Sequence, residues 1–116
     1  MSSRWQVHAK HILDCRDKLN RIRARGNILD DEILYDAALR NLQTLSESCQ
    51  KLPEFIKLRY SHIEWQKISG FRNILVHNYL GNIDPVSIEA VIAVHVEAVC
   101  SVVELALEQV KDDGPL

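Results

Sequence analysis

The sequence is poor in the residues that build loop-rich or disulfide-rich proteins. Its 116 residues include four glycines, three prolines and three cysteines, which disfavours a fold with many strands and turns. Cys15, Cys49 and Cys100 are widely separated and none belongs to a C-x-x-C pair. We therefore expect buried small apolar residues in a reducing cytoplasm. The apolar runs are short and interrupted by charge, so we expect no membrane span.

Apolar residues recur at helical spacing through most of the chain. The length and the ordinary share of apolar residues, 47%, predict a single domain over residues 1–116. The spacing and the helix start and stop residues predict these helices: one ending near Gly26, one from Asp30 or Asp31 to Pro53, a short one from Pro53 to about Tyr60, one from Trp65 to about Val76, and one from Asp84-Pro85 to about Lys111. We therefore predict an all-α antiparallel bundle of four main helices plus a short extra helix.

The last predicted helix has an unusually wide apolar surface. This surface carries Ile88, Val91, Ile92, His95, Ala98, Val99, Val102, Ala106 and Val110. A monomer of this size has too little surface to cover all of them, so we expect a homodimer packed through helices.

Charge is distributed unevenly along the chain, although the formal net charge is only −2. Residues 1–25 carry seven Lys or Arg against two Asp, whereas residues 80–116 carry one Lys against seven acids. The cluster of cations comprises Arg16, Lys18, Arg21, Arg23 and Arg25. The cluster fits either a solvated helix flank or a patch that attracts phosphate groups. Such a patch could contact RNA or a protein partner.

The stretch RNILVHNYL places Arg72, His77 and Tyr79 in the pattern R-x4-H-x-Y. On a straight helix His77 is rotated by about 140° from Arg72, so both reach one phosphate only near a helix end or with a second subunit. Asn73, four residues before His77, could orient the imidazole. Histidine can move protons at neutral pH and arginine can stabilise phosphate charge, which suits RNA cleavage without a metal. A structural ion pair and a half-buried histidine fit the same spacing.

Other candidate sites are weaker. His8 and His11 lie three residues apart without a clear third ligand, so we predict no metal site. The sequence contains no glycine-rich phosphate loop, so we expect no cofactor bound by this chain itself.

The segment from Trp65 to Ile88, WQKISGFRNILVHNYLGNIDPVSI, closely resembles the signature of the HEPN superfamily in its HepT-like toxin branch. The resemblance implies a metal-independent endoribonuclease that acts as a toxin in a bacterial toxin–antitoxin pair. Arg72 and His77 would be catalytic, Asn73 would support them, and both motifs of a homodimer would line one cleft. The partner would be a minimal nucleotidyltransferase antitoxin that uses ATP to attach AMP to Tyr79.

A second interpretation of a different class remains open. The chain could be a non-catalytic helical subunit that docks a nucleotidyltransferase and presents a substrate to it. The intact Arg72–His77 pair favours the ribonuclease.

Overall fold

All elements in the described part of the chain are helical. The computed structural model describes residues 5–70 and 85–112. Helices α1 (Trp5–Arg25), α2 (Glu32–Gln50) and α3 (Glu54–Arg59) are followed by residues 65–70, which are helical and are called α4. The last helix consists of α5 (Pro85–Val91), a π-helical stretch (Ile92–Val96) and α6 (Glu97–Asp112). The all-α prediction is confirmed for these ranges. The predicted four-helix arrangement also involves residues 71–84, which lie outside them.

Local sequence determines the turn between α1 and α2. Of the two predicted caps, Asp31 is the one used: its carboxylate accepts hydrogen bonds from the backbone N–H groups of Ile33 at 2.9 Å and Leu34 at 3.3 Å. These bonds satisfy donors that the first turn of α2 leaves free. At Gly26, a Cβ atom would lie 3.0 Å from Leu34 Cδ1. The absence of a side chain there lets α1 end close against α2.

Helix α1 is packed on two sides, by α2 and by the last helix. Side-chain contacts show that it runs antiparallel to both neighbours. His11 and Cys15 meet Ser48 and Thr44 of α2, at 2.7 Å and 3.4 Å. Arg16 and Arg23 meet Glu104 and Glu89 of the last helix, at 3.3 Å and 2.6 Å. The fully buried residues of α1, each at most 5% exposed, are Trp5, Ala9, Ile12, Cys15 and Leu19.

The buried side chains of the last helix recur at helical spacing. Val96 and Val103, which were not among the predicted apolar positions, are 3% and 1% exposed. Val96 continues the i, i+4 spacing of Ile88 and Ile92, and Val103 lies four residues after Val99. Ala98, which was among the predicted positions, is exposed. The other buried positions of this helix are Ile88, Ile92, Val99, Cys100, Val102 and Ala106.

The last helix is long and apolar enough to cross a membrane by length and composition alone. The segment Pro85–Val110 spans 26 residues, and it is the one such helix among the described residues. The expectation that apolar runs are too short for a span is therefore wrong for this helix. However, 39% of its most apolar stretch is buried inside the protein, and a core helix has the same composition. This property is thus weak evidence for a membrane segment.

Replacing Leu19 tests the double packing of α1. Leu19 is 0% exposed, so we expect Leu19→Ala to lower the free energy of unfolding by about 2–5 kcal/mol, through lost burial and an unfilled cavity. Ile33, 78% exposed on α2, is the matched control, and Ile33→Ala should change it by less than about 0.5 kcal/mol. Urea unfolding at one protein concentration measures both, and similar losses would contradict the packing.

Candidate functional site

The predicted site residues Arg72, Asn73, His77 and Tyr79 lie in the motif segment, residues 71–84, outside the described part of the chain. Their roles stay predictions. The structure does describe the two helices that border this segment in sequence, α4 before it and α5 after it. These two helices show how the chain is held on either side of the motif segment in sequence.

Helix α4 is anchored just before the motif segment. Trp65 is 8% exposed, and its indole Nε1 donates a hydrogen bond to the carbonyl oxygen of Tyr60 at 3.1 Å. The side-chain amide of Gln50, at the end of α2, donates to the carbonyl oxygen of Ser69 at 2.9 Å. Ile68 is 5% exposed and belongs to the core. The chain thus enters the motif segment from a helix held by α2 and by the preceding turn.

An open groove of about 790 Å³ lies beside this anchor, between the end of α2, α3 and α4. Its charged lining residues are two acids and two lysines: Glu54, Lys57, Glu64 and Lys67. Lys67 and Glu64 form an ion pair at 3.0 Å. Because the charges balance, the groove offers no net attraction to a phosphate chain.

The last helix is held against α1 directly after the motif segment. Arg23 Nη2 lies 2.6 Å from Glu89 Oε1, and both side chains are about one-third exposed. Arg16 joins Glu104 at 3.3 Å and Asp17 at 3.1 Å. Two members of the predicted basic cluster therefore serve the packing of α1 on the last helix. The partners of these ion pairs lie 66 and 88 positions apart in the sequence, so no local spacing indicated them.

His95 is the titratable residue that the π-helical stretch brings next to α4. It is half-buried and lines a cavity of about 10 Å³ together with Ser46 of α2 and Ile68 of α4. That is close to the space needed by one water molecule. The sequence placed His95 on the apolar surface of the last helix by its spacing. Its place in a π turn left no signal in the sequence.

The contacts of His11 explain this residue without a metal. Its Nδ1 lies 2.7 Å from the hydroxyl of Ser48, and its Nε2 lies 3.7 Å from Cys15 Sγ. Thr44 Oγ1 lies 3.4 Å from the same sulfur and completes a small polar network that joins α1 to α2. In the parts of the chain that the structure describes, no group of three or more His, Cys, Asp or Glu could hold a metal ion.

The three cysteines are buried and unpaired, so the prediction that they act as small apolar residues is confirmed. Burial raises the pKa of Cys49 far above its usual value and raises the pKa of Cys100 to about 12. Burial also raises the pKa of Cys15, although a hydrogen bond with Thr44 opposes the change. Since the thiolate is the reactive form, these thiols are poor nucleophiles at neutral pH.

One face of the last helix is apolar and uncovered. Val86, Val94 and Leu105 are 60%, 61% and 57% exposed. Smaller exposed residues lie between them at helical spacing: Ala90, Ala93, Ala98 and Ser101, with the exposed acid Glu97 among them. We call the seven residues other than Glu97 the outer apolar face. An exposed surface made mostly of apolar side chains is a feature of interaction sites.

The chain matches known proteins along most of its length. A family model described as Ribonuclease HepT-like matches residues 9–110. A protein named as a candidate RNase, from Caldanaerobacter subterraneus subsp. tengcongensis, is 29% identical over 77 residues, which are 64% of this chain and 69% of that protein. Two further candidate RNases, from Methanocaldococcus jannaschii, are each 30% identical over 53 residues, 46% of this chain and 46% and 44% of their own lengths. No solved structure matches the chain significantly.

Proposed function

Because this chain belongs to the Ribonuclease HepT-like family, we propose that it is a metal-independent endoribonuclease, the toxin of a bacterial toxin–antitoxin pair acting in the cytoplasm. One observation carries the proposal: the family match over residues 9–110 includes the whole R-x4-H-x-Y pattern, with Arg72, His77 and Tyr79 all present. The substrate is RNA, and the reaction needs no cofactor from this chain.

The proposed chemistry is attack of a ribose 2′-hydroxyl on the adjacent phosphorus. The 2′-oxygen loses a proton, a bond forms to phosphorus, and the bond to the 5′-oxygen breaks as that oxygen gains a proton. His77 is the proton-transfer group, since imidazole exchanges protons near neutral pH. Arg72 stabilises the negative charge on the non-bridging oxygens. Asn73 orients the imidazole. The products end in a 2′,3′-cyclic phosphate and a 5′-hydroxyl.

The proposed active form is a homodimer. Arg72 and His77 diverge on a straight helix, so a site with both groups on one phosphate is more easily built from two subunits. The outer apolar face supports this assembly, because Val86, Val94 and Leu105 are exposed along the helix that follows the motif segment. Packing this face against a second copy removes its apolar surface from water. We infer that the two motifs line one cleft near the two-fold axis.

The proposed control is covalent. A nucleotidyltransferase antitoxin transfers AMP from ATP to the phenol oxygen of Tyr79, and pyrophosphate leaves. The adduct adds a phosphodiester with about one negative charge beside Arg72. Since arginine pairs well with phosphate, the adduct occupies the position that an RNA phosphate needs. Its charge also repels RNA at short range, where salt screens least.

Replacing His77 tests the chemistry. We expect His77→Ala to lower RNA cleavage by about 10²–10⁴-fold, the usual contribution of a positioned proton-transfer group. His62, exposed before α4, is the matched control, and His62→Ala should cleave like the wild type. Cleavage should persist in EDTA and leave 2′,3′-cyclic phosphate ends, measured on labelled RNA.

Two results would contradict this chemistry. Activity lost in EDTA and restored by Mg²⁺, with no effect of His77→Ala, would indicate a metal-dependent nuclease. A wild-type chain that cleaves no RNA but binds the nucleotidyltransferase would instead favour the non-catalytic docking subunit.

Replacing Tyr79 tests the control. After co-expression with the nucleotidyltransferase, intact-mass analysis should show AMP-sized increments on the wild type and none on Tyr79→Phe, which should remain toxic. Tyr60→Phe, a half-buried tyrosine outside the motif, should still be modified. The proposal fails if Tyr79→Phe is modified as fully as the wild type, or if the modified wild type keeps its nuclease activity.

A charge on the outer apolar face tests the dimer. Val94→Glu would bury an unpaired carboxylate in the proposed interface, so we expect at least about tenfold weaker dimerisation and a parallel loss of RNA cleavage. Ile33→Glu introduces the same charge at a site that is 78% exposed on α2 and should leave the dimer intact. Sedimentation at micromolar concentration measures both. A wild-type monomer that cleaves RNA would refute the assembly.

A further inference from the structure

The cations in the second half of α1 fall into two groups in the folded chain. Arg16 and Arg23 form ion pairs with acids of the last helix. Lys18, Arg21 and Arg25 are exposed, and none of them forms an ion pair with another described residue. The structure therefore separates the cations that hold the fold from those that do not.

The three free cations share one face of α1. They are spaced at i, i+3 and i+7, so they lie one above the other on a straight helix. At 1.5 Å per residue they span about 10 Å along the helix axis. We call Lys18, Arg21 and Arg25 the α1 basic face. A row of cations at this spacing can contact successive phosphates of an extended nucleic-acid strand.

The acids closest to the α1 basic face in sequence do not cancel its charge. Asp14 lies one turn before Lys18, at the end of the face. Asp17 is bonded to Arg16 at 3.1 Å. In the following turn, Asp30 is exposed five residues beyond Arg25, and Asp31 uses its carboxylate to cap α2. The last two turns of α1 therefore present net positive charge on a chain whose formal net charge is −2.

The α1 basic face lies on the solvent side of α1. Arg16 and Arg23, which pair with acids of the last helix, are rotated by about 140–160° from Lys18 on a straight helix. The basic face is therefore turned away from the last helix and towards solvent. A groove of about 580 Å³ at the junction of α1 and the last helix is lined by Asn20, Asn27 and the ion-paired Arg23 and Glu89. Its charges balance, as do those of the groove beside α4, so neither groove offers the net positive charge of the α1 basic face.

We propose that the α1 basic face binds phosphates of the RNA strand outside the linkage that is cleaved. This inference deepens the proposed function and rests on it: the motif cleaves one linkage, and the basic face binds another part of the same backbone. The contacts are to phosphates, so they increase affinity for any RNA sequence without selecting one. Each phosphate bound by a cation releases counterions, which makes binding depend on salt.

The test measures binding apart from cleavage. In the His77→Ala background, binding of a single-stranded oligoribonucleotide is measured at several salt concentrations, for the parent and for Lys18→Gln/Arg21→Gln/Arg25→Gln. The slope of log K against log salt is negative, and each lost phosphate contact reduces its magnitude by about 0.7 for a single strand. We therefore expect the magnitude of the slope to fall by about 2 and the affinity to fall by about 10–100-fold at low salt.

Two further variants serve as controls. Lys10→Gln/Lys51→Gln/Lys57→Gln removes the same charge away from the α1 basic face: Lys10 lies on the first half of α1, Lys51 follows α2, and Lys57 lies on α3. Lys57 also lines the groove beside α4. This triple variant should change the slope by less than half as much. Arg21→Lys/Arg25→Lys keeps the charge and should keep the slope. The midpoint of thermal unfolding should match the parent for all variants, because every replaced residue except half-buried Lys57 is exposed.

The outcomes separate this inference from the proposed function. Equal losses in the two triple variants, or an unchanged slope in the first, would overturn the basic face as an RNA site. If the first variant binds RNA normally but escapes modification by the nucleotidyltransferase, the face is a protein-docking surface and the inference is wrong. If the parent binds no RNA and the wild type cleaves none, the proposed function itself fails.

Discussion

The rest of the structure depends on the packing of α1 between α2 and the last helix. Ala9, Ile12 and Leu19 are 0% exposed because α1 is covered on two sides. The capped turn at Asp31 fixes α2 against α1, and the ion pairs of Arg16 and Arg23 fix the last helix. Each pair is partly exposed to solvent, so its main effect is on register rather than on stability. Burial of apolar side chains supplies most of the stability.

This packing also determines what remains free for function. Two of the five clustered cations are used in holding the last helix, which leaves Lys18, Arg21 and Arg25 facing solvent. The buried side of the last helix contacts the core, which leaves its outer apolar face uncovered. One surface is suited to phosphate and the other to a second copy of the chain. The first lies on α1 and the second on the helix that follows the motif segment, so substrate binding and dimerisation are proposed on different faces of the fold.

The helical fold could be predicted because its signals are local. Apolar spacing gave α1, α2 and the last helix, and Asp31, Pro53 and Pro85 marked helix starts within a residue or two. The R-x4-H-x-Y pattern indicated the candidate site because Arg, His and Tyr suit the proposed RNA cleavage and its proposed control. The family match over residues 9–110 supports the ribonuclease assignment. The individual roles of Arg72, Asn73, His77 and Tyr79 rest on sequence.

The sequence by itself determined the helical class, the helix ends, the burial of the three cysteines and the presence of a motif suited to ribonuclease chemistry. Only the tertiary structure decided which cations are free, because ion pairs such as Arg23–Glu89 join residues distant in sequence. It also decided that Val96 and Val103, rather than Ala98, face the core. The physical reason is that apolar residues occupy more than one face of this helix, so its packing against α1, rather than its local spacing, selects the face that is buried.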